Sequence, residues 1–394
     1  MTPRTALPFL ASALKMAGRH GWLTALLWLV VIAPAQAALE LRVAIEENVP
    51  SVKVGSSVDA VVRDAASGQV LGNIQGMNGF EAQRGGRGIA LDKWTGNSIS
   101  IEPKDPNGVV WIGSRWYRGK AVLVPTGSGL TAVNRVDLEQ YLYSVLGGEM
   151  NGNWNQEALK AQAVAARSYA LYRRNRDGNG VFDLCDTAQC QVYRGVQDES
   201  AGTQAAVNAT AGQVLTYKGK IIEALFHSSS GGATENVEDV WGSYVPYLRA
   251  VTDYDETAPV FQWSKTYSQN ELSNLISGVG QVRDVQPVGK PTAGGRYRKM
   301  RIVGDRGQRD ISTEDLRDAL SLRSSKFTIV SQFNQTKSNS KQSNPTFVIQ
   351  GRGFGHGLGM SQYGALGLAN RGLNYQQIVL HYYQGTQLAK IDVR

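Results

Sequence analysis

The architecture of this chain follows from two neighbouring stretches, VNRVDLEQYLYSVLGGEM (133–150) and NQEALKAQAVAARSYALYRR (155–174). Asp137 begins a capping-box-like start, and the apolar residues after it recur at helical spacing. Gly147 and Gly148 are predicted to end this first helix. Asn155 is predicted to cap a second helix that reaches roughly Arg174. Its five alanines between positions 158 and 166 are small enough to let another backbone approach closely.

Short strands and turns are predicted on both sides of this helix pair. Residues 39–135 alternate without a helical period, and VVWIGSRWYRGKAVLV (109–124) predicts two strands around a Gly-Ser-Arg turn. A helix-plus-hairpin unit follows, with predicted arms at 282–288 and 297–303, then a polar segment at 331–346 and a final helix near 365–383. We therefore predict a mixed α+β fold. Its parts are a signal peptide (1–37), a β-rich N-terminal part (38–135), a first core part (136–264), an appended helix/hairpin unit with the polar loop (265–346) and a C-terminal core part (347–394).

Composition restricts the class of protein. The 394 residues are 42% hydrophobic and 19% charged, and they include 44 Gly and 2 Cys. These values exclude a largely disordered chain and a disulfide-dense miniprotein. Loss of the first 37 residues, with their three basic and no acidic side chains, would lower the net charge from +8 to a mild +5. No basic cluster is interleaved with aromatic residues, so no nucleic-acid partner is expected.

The first 37 residues have the pattern of a secretory signal peptide. Arg4, Lys15 and Arg19 precede an apolar run of twelve residues, WLTALLWLVVIA (22–33), and AQA (35–37) is a small-x-small cleavage sequence. The run is too short for a spanning helix, which needs about 20 apolar residues. We expect cleavage after Ala37, export to the periplasm, cell envelope or exterior, and no stable membrane insertion afterwards. An uncleaved membrane anchor is the alternative.

Two Gly- and Ser-rich loops carry histidines that could serve a site. His227 lies in FHSSSGGATE (226–235), and His356 lies in GFGHGLGMSQYG (353–364). Clustered glycines beside polar residues suggest backbone that approaches another group closely. Metalloprotease, nucleophile-elbow and dinucleotide motifs are not matched.

Three further residues have two possible roles each. Glu149 follows two glycines; it is either a carboxylate beside apolar groups, with a raised pKa, or a solvated acid in a turn between helices. Periodicity alone favours the turn. Cys185 and Cys190 are near enough in sequence for a disulfide, which export makes plausible, and zinc is the less favoured reading.

Taken together, these motifs resemble the SpoIID/LytB family of bacterial cell-wall proteins. The resemblance covers most of the chain after the signal peptide. It is carried by WYRG (116–119), VNRVDLEQYLYSVLGGEM (133–150), EALKAQAVAARSYAL (157–171), CQVY (190–193), FHSSSGGATE (226–235), WGSYVPYLRAV (241–251) and GRGFGHGLGMSQYGA (351–365).

The resemblance implies a peptidoglycan lytic transglycosylase with Glu149 as its catalytic acid. Such an enzyme cleaves the MurNAc–GlcNAc bond of glycan strands, notably strands without stem peptides, and leaves 1,6-anhydro-MurNAc ends. One carboxyl suffices, because the sugar supplies its own nucleophile and Glu149 acts first as acid and then as base. Sugar-binding roles are expected for His227, Ser228, Ser230, Gly231, Gly232, Trp241, Tyr193, His356, Ser361, Gln362 and Tyr363.

The resemblance leaves the cofactor and the activity open. Some family members hold zinc near the CQVY segment through a histidine upstream of the cysteines, but residues 175–184 contain none; no cofactor is expected, with zinc as the minor alternative. Part of the family enhances a cell-wall N-acetylmuramoyl-L-alanine amidase without cutting glycan, so a binding protein is the rival reading. A structural envelope protein is a third. The enzyme reading requires Glu149 to lie near the loops 227–232 and 355–363.

Overall fold

The computed structural model describes residues 39–86, 88–332 and 345–392. The predicted signal peptide and most of the polar segment at 331–346 lie outside the described residues. The described chain from Glu40 onward belongs to one compact unit. It contains both strands and helices in quantity, which confirms the α+β fold class.

The N-terminal part consists of twelve strands. They are β1 (Glu40–Val49), β2 (Ser51–Ser56), β3 (Ala60–Asp64), β4 (Val70–Ile74), β5 (Gly79–Gly85), β6 (Gly88–Leu91), β7 (Trp94–Gly96), β8 (Ile99–Pro103), β9 (Val110–Ile112), β10 (Arg115–Tyr117), β11 (Lys120–Thr126) and β12 (Gly129–Asp137). With the short β13 (Leu184–Cys185), they form a seven-stranded sheet in the order β13-β1-β12-β11-β8-β3-β4 and a six-stranded sheet in the order β10-β9-β2-β5-β6-β7. The predicted strand pair around the Gly-Ser-Arg turn is confirmed, since β9 pairs with β10. The segment 109–124 contains a third strand that was not predicted, because a second turn at Arg118-Gly119 separates β10 from β11.

Strand β12 leads directly into the first helix, α1 (Leu138–Glu149), as predicted. The Asp137 side chain accepts hydrogen bonds from the backbone N–H groups of Glu139 and Gln140, which fixes the start. The end differs from the prediction, because α1 continues through Gly147 and Gly148. A Cβ on Gly147 would overlap the carbonyl oxygen of Asp198, so this glycine permits a close backbone approach rather than a helix end.

The second helix, α2 (Gln156–Asp177), crosses the core. Asn155 caps it as predicted, and most of its first sixteen residues are buried. Arg167 is buried and forms two short hydrogen bonds to the Glu139 carboxylate, at 2.8 and 2.5 Å. This ion pair ties α2 to α1, so Arg167 has a structural role.

The rest of the core alternates short strands and helices. After a 3₁₀ turn (Gly195–Asp198) come α3 (Ala201–Ala209), β14 (Gln213–Tyr217), β15 (Lys220–Ile221), β16 (Phe226–His227) and α4 (Val237–Val240). The chain returns to this core near its C-terminus. The predicted single helix at 365–383 is two helices, separated by a turn whose Asn374 caps the second one.

An inserted unit lies between these core segments and has its own hydrophobic core. It is built from β17 (Gln262–Ser268), α5 (Gln269–Leu275), β18 (Val282–Val288), β19 (Lys299–Gly304), β20 (Gly307–Ser312), α6 (Thr313–Ala319), β21 (Phe327–Gln332) and β22 (Thr346–Arg352). The predicted hairpin is confirmed, since β18 pairs with β19. Strand β22, placed by the sequence in the C-terminal core part, pairs with β17 over seven residues and so completes the inserted unit's sheet.

The C-terminal elements are β23 (Met360–Ser361), α7 (Gln362–Asn370), α8 (Tyr375–Tyr382) and β24 (Gln387–Lys390). Strand β24 joins β14, and β23 pairs in parallel with β16. The β16–β23 pair places the two histidine loops side by side. Among the described residues, none of the helices has the length and apolar character needed to cross a membrane.

Candidate active site

Glu149 is the last residue of α1, and it is held at its carboxyl group by two neighbours. Its Oε1 accepts a hydrogen bond from the backbone N–H of Val192 at 3.0 Å, and the Nε2 of Gln362 lies 3.4 Å from its Oε2. Burial raises the pKa of the Glu149 carboxyl, while these two hydrogen bonds and the charge of Arg194 act in the opposite direction. The neutral acid is therefore favoured relative to a carboxyl in water.

The carboxyl faces a cleft of about 490 Å³. Glu149 shares this cleft with both predicted loops, so the expected proximity is confirmed. The lining residues are Glu149, Tyr169, Arg173, Ala188, Gln189, Cys190, Val192, Glu223, Leu225, Phe226, His227, Ser228, Trp241, Arg317, Phe354, Gly355, His356 and Gln362.

Backbone hydrogen bonds join the two loops beneath the cleft. The backbone groups of Ser229 and Phe354 exchange two hydrogen bonds, at 3.0 and 2.7 Å, and the N–H of Tyr363 donates to the carbonyl of Ser228. Backbone pairing of this kind fixes the loops without using their side chains. The side chains that face the cleft are thus held on a rigid base.

Both histidines of the cleft are held neutral. His227 is only 5% exposed, its Nδ1 lies 3.1 Å from the carbonyl of Leu358, and its Nε2 has no hydrogen-bond partner among the described residues. Burial lowers the pKa of His227 well below its ordinary value. Burial, aided by the charges of Arg296 and Arg317, lowers the pKa of His356 to about 4. If Nδ1 of His227 carries the proton, as its carbonyl partner requires, Nε2 is a buried acceptor that has no hydrogen-bond partner among the described residues.

Five of the predicted binding residues line the cleft with Glu149. They are His227, Ser228, Trp241, His356 and Gln362. Trp241 is 52% exposed, and its ring lies 5.4 Å from that of His356. An aromatic ring in this position offers a flat apolar surface to a sugar ring.

Three predicted binding residues of the first loop face inward instead. The Ser230 hydroxyl donates to Asp253 at 2.5 Å, and the N–H groups of Gly231 and Gly232 donate to the buried Asp255 carboxylate at 2.8 and 2.9 Å. Because these donors are already used, they are unavailable to a sugar. Their predicted binding roles are corrected to support of the loop.

Three further predictions are corrected in the same way. Tyr193 is 1% exposed, and its hydroxyl donates to Asn134 at 2.7 Å, so it is a core residue. Ser361 is buried and caps α7 by accepting from the N–H of Gly364. Tyr363 does not line the cleft; its ring packs against Trp154 at 4.8 Å.

The structure adds charged residues that the sequence did not indicate. Arg317 reaches the cleft from α6 of the inserted unit, and Arg173 reaches it from α2. Glu223 is a second carboxylate in the cleft, but its Oε1 forms an ion pair with Arg176 at 3.2 Å. These residues stand in no motif and become neighbours of Glu149 only through the tertiary fold.

Cys185 and Cys190 are joined in a disulfide. The segment that they close contributes Ala188, Gln189 and Cys190 to the cleft and precedes Val192, the partner of Glu149. A zinc ion does not fit these residues, because the sulfurs are bonded to each other. In the described part of the chain, no group of three or more His, Cys, Asp or Glu side chains is placed to hold a metal.

Comparison with known proteins adds sequence relationships to this geometry. Residues 126–217 match the family model described as Stage II sporulation protein, and residues 246–359 match a domain of unknown function (DUF8618). Stage II sporulation protein D of Bacillus subtilis is 34% identical over 279 residues, 66% of this chain and 77% of that protein. The amidase enhancer of Bacillus subtilis is 32% identical over 292 residues, 63% of this chain and 40% of that protein. An uncharacterized protein of Brachyspira hyodysenteriae is 34% identical over 276 residues, 69% of this chain and 72% of that protein.

Proposed function

The chain belongs to the SpoIID family, which includes stage II sporulation protein D and the amidase enhancer, and we propose that it is an exported peptidoglycan lytic transglycosylase. The family supports a role at the cell wall. The finer proposal depends on one observation: Glu149, a carboxyl with a raised pKa, faces a cleft that is lined by hydrogen-bonding side chains and aromatic rings together with Arg173, Glu223 and Arg317.

Glu149 would carry both proton transfers of the reaction. In its neutral form it protonates the bridging oxygen as the bond between C1 of N-acetylmuramic acid and that oxygen breaks. The resulting carboxylate then accepts the proton of the C6 hydroxyl as the C6 oxygen bonds to C1. The products are a 1,6-anhydro sugar and a free hydroxyl on the leaving sugar, and Glu149 regains its proton.

The neighbours of Glu149 suit this double role. The Val192 N–H and the Gln362 amide donate to the carboxyl oxygens and orient them without supplying a full charge. A cation in their place would stabilise the carboxylate and weaken the acid.

A digestion experiment tests the proposal. The purified chain and its Glu149→Gln variant are incubated with peptidoglycan, with and without stem peptides, and the products are identified by mass spectrometry. We expect anhydro-muramic ends from the wild type and a rate at least about a hundredfold lower from Glu149→Gln, since the general-acid contribution is about 10² to 10⁴-fold.

Glu223→Gln is the matched control, because Glu223 lines the same cleft but is ion-paired. It is expected to keep forming anhydro ends. A different result would identify a hydrolase that uses two carboxyl groups: the wild type forms reducing ends instead of anhydro ends, and both Glu149→Gln and Glu223→Gln form no products.

The amidase enhancer among the relatives favours a second candidate function, glycan binding that stimulates a cell-wall amidase. This reading keeps the cleft but gives Glu149 no chemical role. It is supported if neither peptidoglycan yields products while wild type and Glu149→Gln bind glycan equally and stimulate an N-acetylmuramoyl-L-alanine amidase equally.

A further inference from the structure

The inserted unit carries a second and larger cleft, of about 720 Å³, that no predicted residue lines. It lies at the end of the β17–β22 pair where Gln262 faces Arg352. This volume is within the usual range of small-ligand sites, about 300–1,000 Å³. The cleft is thus in the size range of a small-ligand site.

Trp263 forms a fixed aromatic wall of this cleft. It pairs with Gly351 on β22, and a Cβ at position 351 would overlap its indole ring. The indole therefore lies directly against the glycine backbone. Its Nε1 donates to the carbonyl of Gly353 at 2.9 Å, which locks the ring plane. A ring held in this way can bind a flat apolar partner without losing further side-chain entropy.

Two cations stand beside this aromatic wall. The Lys326 Nζ donates to the carbonyl of Gly231 at 2.8 Å, and the exposed Arg352 guanidinium lies 5.8 Å from the Phe261 ring. None of the lining residues that the structure describes is acidic. Amide and hydroxyl side chains supply the remaining polar lining, including Gln262 and Gln350.

We propose that this cleft binds an acidic carbohydrate, with a pyranose ring against Trp263 and its carboxylate or phosphate at Arg352 and Lys326. The C–H face of a pyranose packs on an aromatic ring, and its hydroxyl groups match amide side chains. Guanidinium binds carboxylate and phosphate through paired hydrogen bonds. The inference rests on the cell-wall part of the proposed function but not on catalysis by Glu149.

One loop connects the second cleft to the candidate active site. Lys326 bonds to Gly231 from the side of the second cleft, while Ser228 of the same loop lines the cleft of Glu149. A glycan chain bound at the second cleft would therefore stay close to the loop that borders the candidate active site. The second cleft would act as an anchor for long acidic chains.

Calorimetric titration of the full purified chain, in a Glu149→Gln background that leaves the probe intact, tests the inference. The probes are a peptide-free peptidoglycan tetrasaccharide, its carboxyl methyl ester, and poly(N-acetylglucosamine 1-phosphate), whose repeat carries both a pyranose and a phosphate. We expect Arg352→Gln to weaken binding of the free-acid tetrasaccharide or of the phosphate polymer about tenfold, as loss of a charge-assisted hydrogen bond implies. Which probe responds identifies the source of the anionic group.

Arg309→Gln is the matched control, because Arg309 is an exposed arginine of the same unit outside the cleft. The indole N–H resonance of Trp263, assigned with Trp263→Phe, should shift with the acidic probe. The inference is overturned if acid and ester bind equally and the phosphate polymer shows no Arg352-dependent binding. Equal effects of the two arginine variants, an unmoved Trp263 signal, or tighter binding of single-stranded DNA would each overturn it as well.

The two proposals fail separately. If binding depends on Arg352 but no anhydro ends form, the proposed second binding cleft is supported and the proposed transglycosylase activity is not. A chain that forms anhydro ends but shows no Arg352-dependent binding retains the enzyme and loses the second cleft.

Discussion

Glu149 places an ionisable group where the folded chain disfavours its charge. Its pKa is raised by burial, so the unfolded chain, with an ordinary value of 4.5, loses the proton more readily. This burial costs no stability below pH 4.5 and becomes unfavourable as the pH rises through the folded-state pKa. On the proposed function, this cost at neutral pH accompanies a raised pKa that lets Glu149 donate a proton.

A stability measurement follows from this shift. We expect Glu149→Gln to raise the free energy of unfolding at pH 7 by about 1 kcal/mol, because an amide removes the buried charge and keeps the acceptor for Val192. The difference should disappear at about pH 4. Urea denaturation at both pH values measures it.

Glu223→Gln provides the comparison, since it removes one of the two carboxylates that pair with Arg176 and is not expected to stabilise the chain. A stabilisation by Glu149→Gln that is equal at both pH values would show that the carboxyl charge is not its cause.

Arg317 of the inserted unit lowers the pKa of the neighbouring His356. Arg317 is among the charges that hold the pKa of His356 at about 4. Arg317→Gln is therefore expected to raise that pKa, and NMR titration of the His356 ring measures it. Arg309→Gln, outside the cleft, should leave it unchanged. An unchanged value in both variants would mean that Arg317 does not approach the ring.

Individual residues within one motif differ in whether they reach the surface, so their roles could not be predicted from the motif alone. Tyr193 and Trp241 are both aromatic residues within matching motifs, yet one is 1% and the other 52% exposed. Ser228 and Ser230 differ by two positions, but only Ser228 lines the cleft. Local sequence does not encode which side of a loop faces a cleft, because distant partners such as Asp253 and Asp255 decide it.

At the level of elements, local signals were sufficient for the helices. Asp137 and Asn155 mark the starts of α1 and α2, because a cap acts on its own first turn. The predicted end of α1 at Gly147 and Gly148 is wrong, because Gly147 makes room for the backbone of Asp198. That contact depends on the tertiary fold and has no local signal.

The segment closed by the Cys185–Cys190 disulfide helps to position Val192, which donates a hydrogen bond to the Glu149 carboxyl. Reduction, or a Cys185→Ser and Cys190→Ser double variant, should loosen residues 186–192 and weaken the Val192 hydrogen bond to Glu149. Because that hydrogen bond lowers the pKa of Glu149, its loss should raise the pKa further. The basic limb of the pH–rate profile should then shift to higher pH. Glycan digestion across the pH range measures this shift.

A stability loss of roughly 2 kcal/mol is expected in addition. Reduction of the double variant is the control and should have no further effect. A pH–rate profile identical to that of the wild type would restrict the disulfide to a stabilising role.

At the level of the whole molecule, the inserted unit is part of the candidate site rather than an accessory to it. The family match at 126–217 covers Glu149 and Val192, whereas Arg317 lies in the region matched by the domain of unknown function. The sequence predicted the hairpin of this unit from its local pattern. It gave no sign that α6 would reach the cleft, because that contact depends on how the unit packs on the core.

The position of Gln362, so late in the chain, has a consequence for the timing of activity. A polypeptide delivered through an export channel from its amino terminus releases Glu149 long before Gln362, β23 and the second histidine loop have arrived. Until then the carboxyl group is in water, where it is ionised and unable to act as an acid. On the proposed export and the proposed function, the chain would thus be unable to cut glycan before Gln362 has crossed, and it would become competent only after the histidine loop at 353–364 has folded against Glu149.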